Sequence, residues 1–353
     1  KSKGNVMDPI GLIDEYGADA VRFTLTAMAA MGRDLRLSNS RIAGYRNFGT
    51  KLWNAARFAE MKNCKVSYQF IPQNVTEPLN KWIIGETARF REAFDKALSS
   101  YRFNEAANIA YVHVWKKFCD WYIEFAKPFL DLEASKKKTE TQQTMAWALD
   151  QCLIILHPIM PFITEELWGT ISKRANMLIH QDWPEYKASE FQDAEADIEV
   201  ESVISLVEEI RSTRAELRVP AGAKVPLVKV KLSNKMEKVI EKSELLIQRL
   251  GRISVIEKRD SIPKGAVILA VNGNEFALKI SDFIDLNEEI DRLKKAIEKN
   301  RAESKLLGSK LNNEKFLYNA PQTVINENRE RLEILNVDHR KLSAASKKIK
   351  RVK

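Results

Sequence analysis

Residues 39–62 read NSRIAGYRNFGTKLWNAARFAEMK, and this stretch sets the expected fold of the chain. Its apolar residues recur every three or four positions, which is the spacing of one buried helix face. They are Ile42, Tyr45, Phe48, Leu52 and Phe58. The residues Lys51, Asn54 and Arg57 fall off this stripe. The pattern predicts a long amphipathic helix with a polar and basic outer face.

Four further helical patterns follow, at residues 76–100, 103–130, 141–156 and 161–174. The first begins at Thr76-Glu77-Pro78, where an N-cap residue precedes an early proline. Short connections between long helices predict antiparallel neighbours. Residues 38–185 are therefore expected to form an antiparallel bundle of about five helices. Residues 1–37 precede it as a polar loop and two short helices.

A smaller α+β module is expected at residues 186–283, entered by a helix at 198–217. Period-two alternation at residues 228–232 predicts a strand, and a helix and a second short strand follow. Asn272-Gly273 lies between two apolar runs, 266–271 and 275–280. This dipeptide predicts a two-residue hairpin, because both residues tolerate positive φ.

The last part of the chain, residues 284–353, has a heptad seam. Leu286, Ile290, Leu293 and Ile297 alternate steps of four and three, and the spacing resumes after one polar gap. Residues 312–322 break the seam with Asn319-Ala320-Pro321 before it returns. Two helices of comparable length predict an antiparallel coiled-coil hairpin roughly 45 Å long. The fold class is thus mainly α, with a bundle, a small α+β module and a C-terminal hairpin.

Charge and composition restrict the class of protein. The chain has 353 residues, of which 44% are hydrophobic and 30% charged, as in ordinary globular proteins. No apolar run reaches the length of a membrane span. The net charge is +9, and residues 286–353 carry 17 Lys and Arg against 10 Asp and Glu, so +7 of it lies there. A basic terminal segment on a near-neutral body predicts a polyanionic partner.

Three widely spaced cysteines, Cys64, Cys119 and Cys152, include no Cys-x-x-Cys pair. They predict free thiols in a reducing compartment, by default the cytoplasm. The four histidines share no ligand spacing with each other or with cysteine, so no metal site is expected. They are His113, His157, His180 and His339.

The first residues, Lys1 to Val6, read KSKGNV, with neither an initiator methionine nor a secretory signal. Together with Asp8-Pro9, Tyr16-Gly17-Ala18-Asp19-Ala20 and Arg22-Phe23, they resemble the end of the Lys-Met-Ser-Lys-Ser signature of class I aminoacyl-tRNA synthetases and its following helix. The resemblance implies that the chain starts inside this signature. Lys1 then matches the second lysine and is the expected ATP contact, with Ser2 and Lys3 as weaker candidates. Mg²⁺ is expected to accompany ATP.

Three motifs resemble the valine enzymes of this class rather than the isoleucine, leucine or methionine enzymes. They are Gly32-Arg33-Asp34, Gly44-Tyr45-Arg46-Asn47-Phe48 and Lys51-Leu52-Trp53-Asn54-Ala55-Ala56-Arg57-Phe58. The runs at 118–122 and 157–168 resemble packing signatures of the class I anticodon-binding bundle. The resemblance implies an ATP-dependent ligase that activates valine and transfers it to tRNA(Val). It also implies a monomer that does not enter membranes.

The polar face of the 39–62 helix is the expected anticodon contact. Lys51, Asn54 and Phe58 lie on one face, where an aromatic ring can stack on an unpaired base and a cation can meet its edge or a phosphate. Arg41 and Arg46 are lesser candidates. The alternative for Phe58 is a plain core residue.

The C-terminal cations Lys347, Lys348, Lys350 and Arg351 are the expected contacts of the arm with the tRNA elbow, as the resemblance implies. The alternative is a solvated coil or a homotypic zipper. No adenylate-pocket signature, dinucleotide-binding sheet or editing domain is recognisable, so the chain alone is expected to be inactive in aminoacylation. Two other functions stay open: an isoleucine- or leucine-type synthetase fragment, and a non-enzymatic tRNA-binding coiled-coil protein.

Overall fold

The computed structural model describes residues 8–29 and 37–350, with the side chain of Lys350 excepted. Lys1, Ser2, Lys3, Arg351 and the motif at 32–34 therefore lie outside the described residues. The chain divides into two compact units, Lys1–Val200 and Glu201–Lys353. The predicted fold class is confirmed, since helices dominate both units and the strands form one small sheet. The finer division at residues 37, 185 and 283 stays a prediction.

Eight α-helices form most of the part of the first unit that the structure describes. They are α1 (Pro9–Tyr16), α2 (Ala18–Met28), α3 (Asn39–Met61), α4 (Pro78–Ser99), α5 (Phe103–Tyr111), α6 (Ile123–Leu130), α7 (Lys136–Leu156) and α8 (Pro161–Ile171). Asp8 caps α1, since its carboxylate accepts from the amides of Ile10 at 3.1 Å and Gly11 at 3.2 Å. A ninth helix, α9 (Ala194–Glu216), begins here and continues into the second unit.

The predicted helix at 103–130 is continuous, but its middle is not α-helical. Residues Val112–Tyr122 form a π-helical segment between α5 and α6. Such segments bond residue i to i+5 and frequently occur at functional sites. The apolar spacing did not reveal this wider winding, because it follows from packing and not from local propensity.

The start of α4 is where the sequence predicted, but its cap comes from elsewhere in the chain. The N-cap residue Glu77 makes no side-chain cap hydrogen bond. Instead Glu140 of α7 accepts hydrogen bonds from the amides of Thr76 at 3.0 Å and Glu77 at 2.9 Å, and from Asn80 Nδ2 at 2.9 Å. A carboxylate at this position also complements the helix dipole.

The core of the bundle is rich in aromatic residues. The fully buried rings include Trp82, Tyr122, Phe23, Phe48, Phe94, Phe118 and Phe125. The Tyr122 hydroxyl donates to Asn80 Oδ1 at 3.1 Å, so this buried polar group is satisfied. Close packing of these rings holds the helices of the bundle in place and thereby positions the outer face of α3.

The second unit contains a four-stranded mixed sheet of order β2-β1-β4-β3. Its strands are β1 (Val225–Lys231), β2 (Ile253–Lys258), β3 (Ala266–Val271) and β4 (Asn274–Lys279), and α10 (Asn234–Gly251) links the parallel pair β1 and β2. The predicted hairpin is confirmed: Val271 pairs with Asn274, and Asn272 and Gly273 have φ values of 49° and 75°. Period-two alternation would place Lys229 on the solvent-exposed side of β1. Its side chain is instead half-buried and pairs with Glu237, with an Nζ–Oε2 distance of 2.7 Å.

The predicted coiled-coil hairpin is also confirmed. It consists of α11 (Leu286–Leu311) and α13 (Gln322–Lys350), with the short α12 (Glu314–Asn319) inside the expected break. The helices are antiparallel, because Asn300 Nδ2 donates to the Leu335 carbonyl at 3.0 Å and Arg331 Nε to Glu303 Oε1 at 2.8 Å. Along the seam, Leu293, Leu307 and Leu335 are buried, whereas Ile297, Leu332 and Leu342 are half-buried.

Candidate nucleic-acid interface

Helix α3 presents the predicted amphipathic division. Its buried side consists of Ile42, Phe48, Leu52, Ala55, Ala56 and Ala59. Arg41, Arg46, Asn54 and Arg57 are exposed on the other side, while Lys51 and Phe58 are half-buried between the two. The exposed basic and polar groups can meet a polyanion, and the half-buried pair can offer a positioned cation and part of a ring.

Lys51 is the most constrained of these side chains. Its ammonium forms a salt bridge with the Asp120 carboxylate. The same nitrogen lies 4.1 Å from the centroid of the Trp115 ring, in cation–π contact. Only 25% of the Lys51 side chain is exposed. Lys51 is therefore held in one conformation, whereas an unconstrained surface lysine would sample many rotamers.

The π-helical segment brings the two partners of Lys51 together. Trp115 and Asp120 are five residues apart within Val112–Tyr122. In an α-helix, residues five apart are rotated by about 140° around the axis. In a π-helix they are near neighbours on one face, because the backbone bond itself joins i to i+5. The winding thus places a ring and a carboxylate around one ammonium.

Phe58 is neither a full core residue nor a free surface ring. Its side chain is half-buried, unlike the fully buried Phe48 on the same helix. Lys127 Nζ lies 5.6 Å from the Phe58 ring centroid and also pairs with Glu124 at 2.5 Å. Part of the ring remains accessible beside a cation, so both predicted roles of Phe58 stay open.

Trp53 is an exposed aromatic residue that the sequence reasoning left out. It lies seven residues after Arg46, on the same helix face, and is 37% exposed. Both line an apolar cavity of about 500 Å³, together with Tyr16, Tyr45, Phe162 and eight other residues. The Arg46 guanidinium forms no salt bridge with any described residue. The seven-residue spacing between an arginine and a tryptophan was the signal that could have revealed this face.

The C-terminal cations of the arm differ in their surroundings. Lys347 is exposed. Lys348 Nζ donates to Glu209 Oε1 at 2.8 Å, Thr213 Oγ1 at 3.1 Å and Glu216 Oε2 at 3.4 Å. Burial works against the charge of this ammonium, but the two carboxylates outweigh it and raise the Lys348 pKa. These contacts give Lys348 a structural role at the base of the hairpin. Lys350's side chain and Arg351 lie outside the described residues.

Other cations along the arm are unpaired. Lys295, Arg301, Lys305, Lys310 and Lys315 are exposed and form no salt bridge with any residue of the described ranges. These five cations lie apart from the C-terminal cluster that the sequence singled out by residue number. Unpaired cations along a hairpin provide a field that attracts phosphate.

Two histidines have packing and hydrogen-bonding roles. The His113 ring stacks on Phe90 with centroids 4.4 Å apart, and burial lowers its pKa to about 3, so it is neutral. His157 Nδ1 lies 2.8 Å from Thr164 Oγ1. Within residues 8–29 and 37–350, no group of three or more His, Cys, Asp and Glu side chains could hold a metal ion.

All three cysteines are free, as predicted, and all three are buried. Burial raises the pKa of the Cys64 and Cys119 thiols to about 12 and that of Cys152 well above its usual value. None of these thiols is therefore a reactive thiolate at neutral pH. Of the helices that the structure describes, none is both long and apolar enough to span a membrane.

Three protein families match successive parts of this chain. The family described as tRNA synthetases class I (I, L, M and V) matches residues 1–38. The anticodon-binding domain of tRNA ligase matches residues 80–231, and the valyl tRNA synthetase tRNA binding arm matches residues 285–350. Helix α3 lies between the first two matches, whereas Trp115 and Asp120 lie inside the second.

Similar sequences are found among curated valine--tRNA ligases. The enzyme of Cereibacter sphaeroides is 53% identical over 347 residues, which are 98% of this chain and 35% of the relative. That of Ruegeria pomeroyi is 49% identical, covering 98% of this chain and 34% of the relative. The Caulobacter vibrioides enzyme is 46% identical, with coverage of 98% and 38%. The chain thus spans about a third of the length of these relatives.

An anticodon-binding bundle, a class I match before it and a coiled-coil arm after it define the class. This is a class I aminoacyl-tRNA synthetase sequence. Within that class, the arm match and the identities above are specific, and the chain belongs to the valine--tRNA ligase family.

Proposed function

We propose that this chain supplies the tRNA-binding part of a ligase that activates valine with ATP and transfers it to tRNA(Val). The observation that carries the proposal is the basic hairpin. It coincides with the matched tRNA-binding arm and holds unpaired, outward cations. RNA duplexes are bound chiefly through phosphates and shape, which such a surface suits.

In this proposal α3 reads the anticodon. Unpaired bases of an RNA loop are recognised by stacking on rings and by hydrogen bonds to their edges. Phe58 supplies a partly exposed ring, and Lys51 and Asn54 supply donors. Arg41 and Arg46 meet the backbone, and Trp53 joins the candidates because it is exposed on the same helix.

The arm contacts are proposed to include Lys347, Lys350 and Arg351. Lys348 supports them from the base of the hairpin, because its ammonium is engaged by Glu209 and Glu216. Removing Lys348 should therefore loosen the hairpin as well as remove a charge.

Lys1 is proposed to contact the ATP phosphates, with Ser2 and Lys3 beside it. An ammonium there stabilises the negative charge that develops as pyrophosphate leaves, and Mg²⁺ bound with ATP shares this task. We infer a cytoplasmic location, since the three cysteines are free thiols. We also propose that the protein is a monomer.

The first test uses the chain itself. It should bind tRNA(Val) with strong salt dependence and should not catalyse valine-dependent exchange of pyrophosphate into ATP. Exchange above the blank, or the absence of tRNA binding at low salt, would contradict the proposal.

The second test uses the full-length enzyme. Lys1→Ala should slow formation of valyl-adenylate more than it weakens valine binding, because the lysine meets charge that grows in the transition state. Lys1→Arg keeps the charge and is the matched control. An unchanged rate of adenylate formation would remove Lys1 from the site.

A further inference from the structure

We propose that Asp120 and Trp115 are specificity-determining residues that make Lys51 a reader of nucleobase edges and not of phosphate. The inference rests on the proposed anticodon role of α3. It deepens that role by assigning the chemical class of group that the Lys51 site accepts, a neutral hydrogen-bond acceptor.

The geometry leaves Lys51 little freedom. An ammonium has three N–H donors. One is directed to the Asp120 carboxylate, and the Trp115 ring covers a further side at 4.1 Å from the nitrogen. The side chain is three-quarters covered. A ligand can therefore approach the remaining donor only from a restricted direction.

The ring under Lys51 is itself held in place. Trp115 stacks on Tyr111 with centroids 5.4 Å apart and an interplanar angle of 19°. Tyr111 packs in turn on the fully buried Phe48 at 5.1 Å. This stack ties the ammonium to the bundle core. The Lys51 side chain is therefore already ordered before RNA binds, so binding should cost little further side-chain entropy.

The charge balance favours a neutral partner. Asp120 places a negative charge directly beside the Lys51 ammonium and is itself 45% exposed. A phosphate that approached Lys51 would meet this carboxylate at short range and be repelled. A carbonyl oxygen or ring nitrogen of a base carries no net charge, so it can accept the free N–H without that repulsion. The unpaired cations of the arm, such as Lys295 and Arg301, have no such carboxylate and suit phosphate.

A matched control lies just beyond the ends of α3 and α6. Lys62 pairs with Asp131 at 2.6 Å, and both sequence separations are 69 residues. The exposed fractions are 33% and 54% for this pair, against 25% and 45% for Lys51 and Asp120. Lys62 has no ring contact within the described part of the chain. Asp131→Asn thus removes the same charge from the same kind of ion pair without changing a stacked ammonium.

The experiment measures the Kd of the full-length enzyme for tRNA(Val) and for transcripts with one changed anticodon base, over a range of salt concentrations. For Asp120→Asn we expect tighter binding of all transcripts and a salt slope steeper by about one unit, because Lys51 becomes free to meet phosphate. Discrimination between the transcripts should fall about tenfold, as for the loss of one charged hydrogen bond. Asp131→Asn should leave discrimination unchanged.

Trp115 is tested by a pair of variants. Trp115→Leu should reduce discrimination, whereas Trp115→Phe keeps a ring under the ammonium and should restore most of it. Thermal unfolding of each variant reports any loss of the bundle fold separately from the RNA readout.

The variant Lys51→Ala distinguishes a failure of the proposed anticodon role of Lys51 from a failure of the inference about Asp120 and Trp115. If it leaves discrimination intact, the anticodon role of Lys51 fails. If Lys51→Ala loses discrimination while Asp120→Asn and Trp115→Leu keep it, the anticodon role stands and the present inference is overturned. Equal changes for Asp120→Asn and Asp131→Asn would likewise overturn it, since they would show a general charge effect.

Discussion

The bundle and the arm differ in how their cations are paired. Many basic side chains of the bundle are bound to carboxylates, as in the pairs Lys51–Asp120, Lys62–Asp131, Lys81–Asp193 and Arg174–Asp150. The arm instead leaves Lys295, Arg301, Lys305, Lys310 and Lys315 unpaired within the described ranges. A paired, ordered cation can select among neutral groups, whereas unpaired cations attract any phosphate. If the proposed function is right, selectivity should lie mainly in the bundle and salt-dependent affinity mainly in the arm.

The bundle and the arm also differ in how their cores are packed. The bundle packs fully buried aromatic rings such as Trp82 and Phe94. The arm buries a thin seam that contains the polar residue Asn300. Among the described residues, unpartnered buried polar atoms occur in both regions, for example Asn300 Oδ1 in the arm and Trp82 Nε1 in the bundle. A thin seam buries less apolar surface than a bundle core, so the arm should be the softer region.

The largest expected effect concerns the arm's charge. Replacing Lys295, Arg301, Lys305 and Lys310 by Ala should lower the salt slope of tRNA binding by about three to four units, since each phosphate contact contributes about 0.9. The loss should be equal for matched and mismatched anticodons. The measurement is tRNA affinity as a function of salt concentration. The charge-preserving control replaces Lys305 and Lys310 by Arg.

Cutting the chain after Asp282 is the more drastic form of this test. The first unit should stay folded, as judged by its helical circular dichroism, while affinity falls for every tRNA. Parallel salt plots of equal height for the intact and truncated chains would show that the arm is a solvated or self-associating coil.

The next effect concerns Phe58. Phe58→Ala should cost on the order of 1–3 kcal/mol in binding of tRNA(Val), the usual value of one stacked base. A tRNA with a changed anticodon should lose less, and Phe58→Tyr should keep most of the affinity. If Phe58→Ala lowers the melting temperature but leaves discrimination unchanged, the ring is a core residue.

A smaller effect is expected in the arm's polar seam. Asn300→Leu should raise the free energy of unfolding of the hairpin by about 1 kcal/mol, because it removes an unpartnered buried oxygen. Asn336→Leu on the exposed side of α13 is the control and should not stabilise. Thermal unfolding of the three proteins gives the comparison, and a destabilised Asn300→Leu variant would show that its bond to the Leu335 carbonyl dominates.

The smallest effect is the pH dependence of Glu140. Burial alone would raise the pKa of this carboxyl, but hydrogen bonds from Asn80, Glu77 and Thr76 outweigh it and lower the pKa below its usual 4.5. Its stabilising contribution is therefore present above pH 4.5 and is lost as pH falls through the lowered folded-state value. Glu140→Gln should destabilise the bundle at pH 7 and much less at pH 3.5 in urea unfolding. A pH-independent difference would mean that the charge of Glu140 is irrelevant to the cap.

Much of the fold followed from local pattern. The apolar spacing of α3, the Asn272-Gly273 turn and the heptads of α11 and α13 each act over a few residues, so the sequence predicted them well. The cap of α4 did not follow from local pattern, because Glu140 reaches it from more than sixty residues away. Local rules favour a nearby cap and cannot see a distant carboxylate.

The candidate site divides in the same way. The sequence by itself determined that a basic, partly aromatic helix face and a basic hairpin exist, since periodicity and charge are properties of neighbouring residues. Only the tertiary structure decided which cations are free: Lys51 is held by Asp120 and Trp115, and Lys348 is held by Glu209 and Glu216. The physical reason is that a charge's role depends on its nearest opposite charge and on its exposure, and packing brings both from distant parts of the chain.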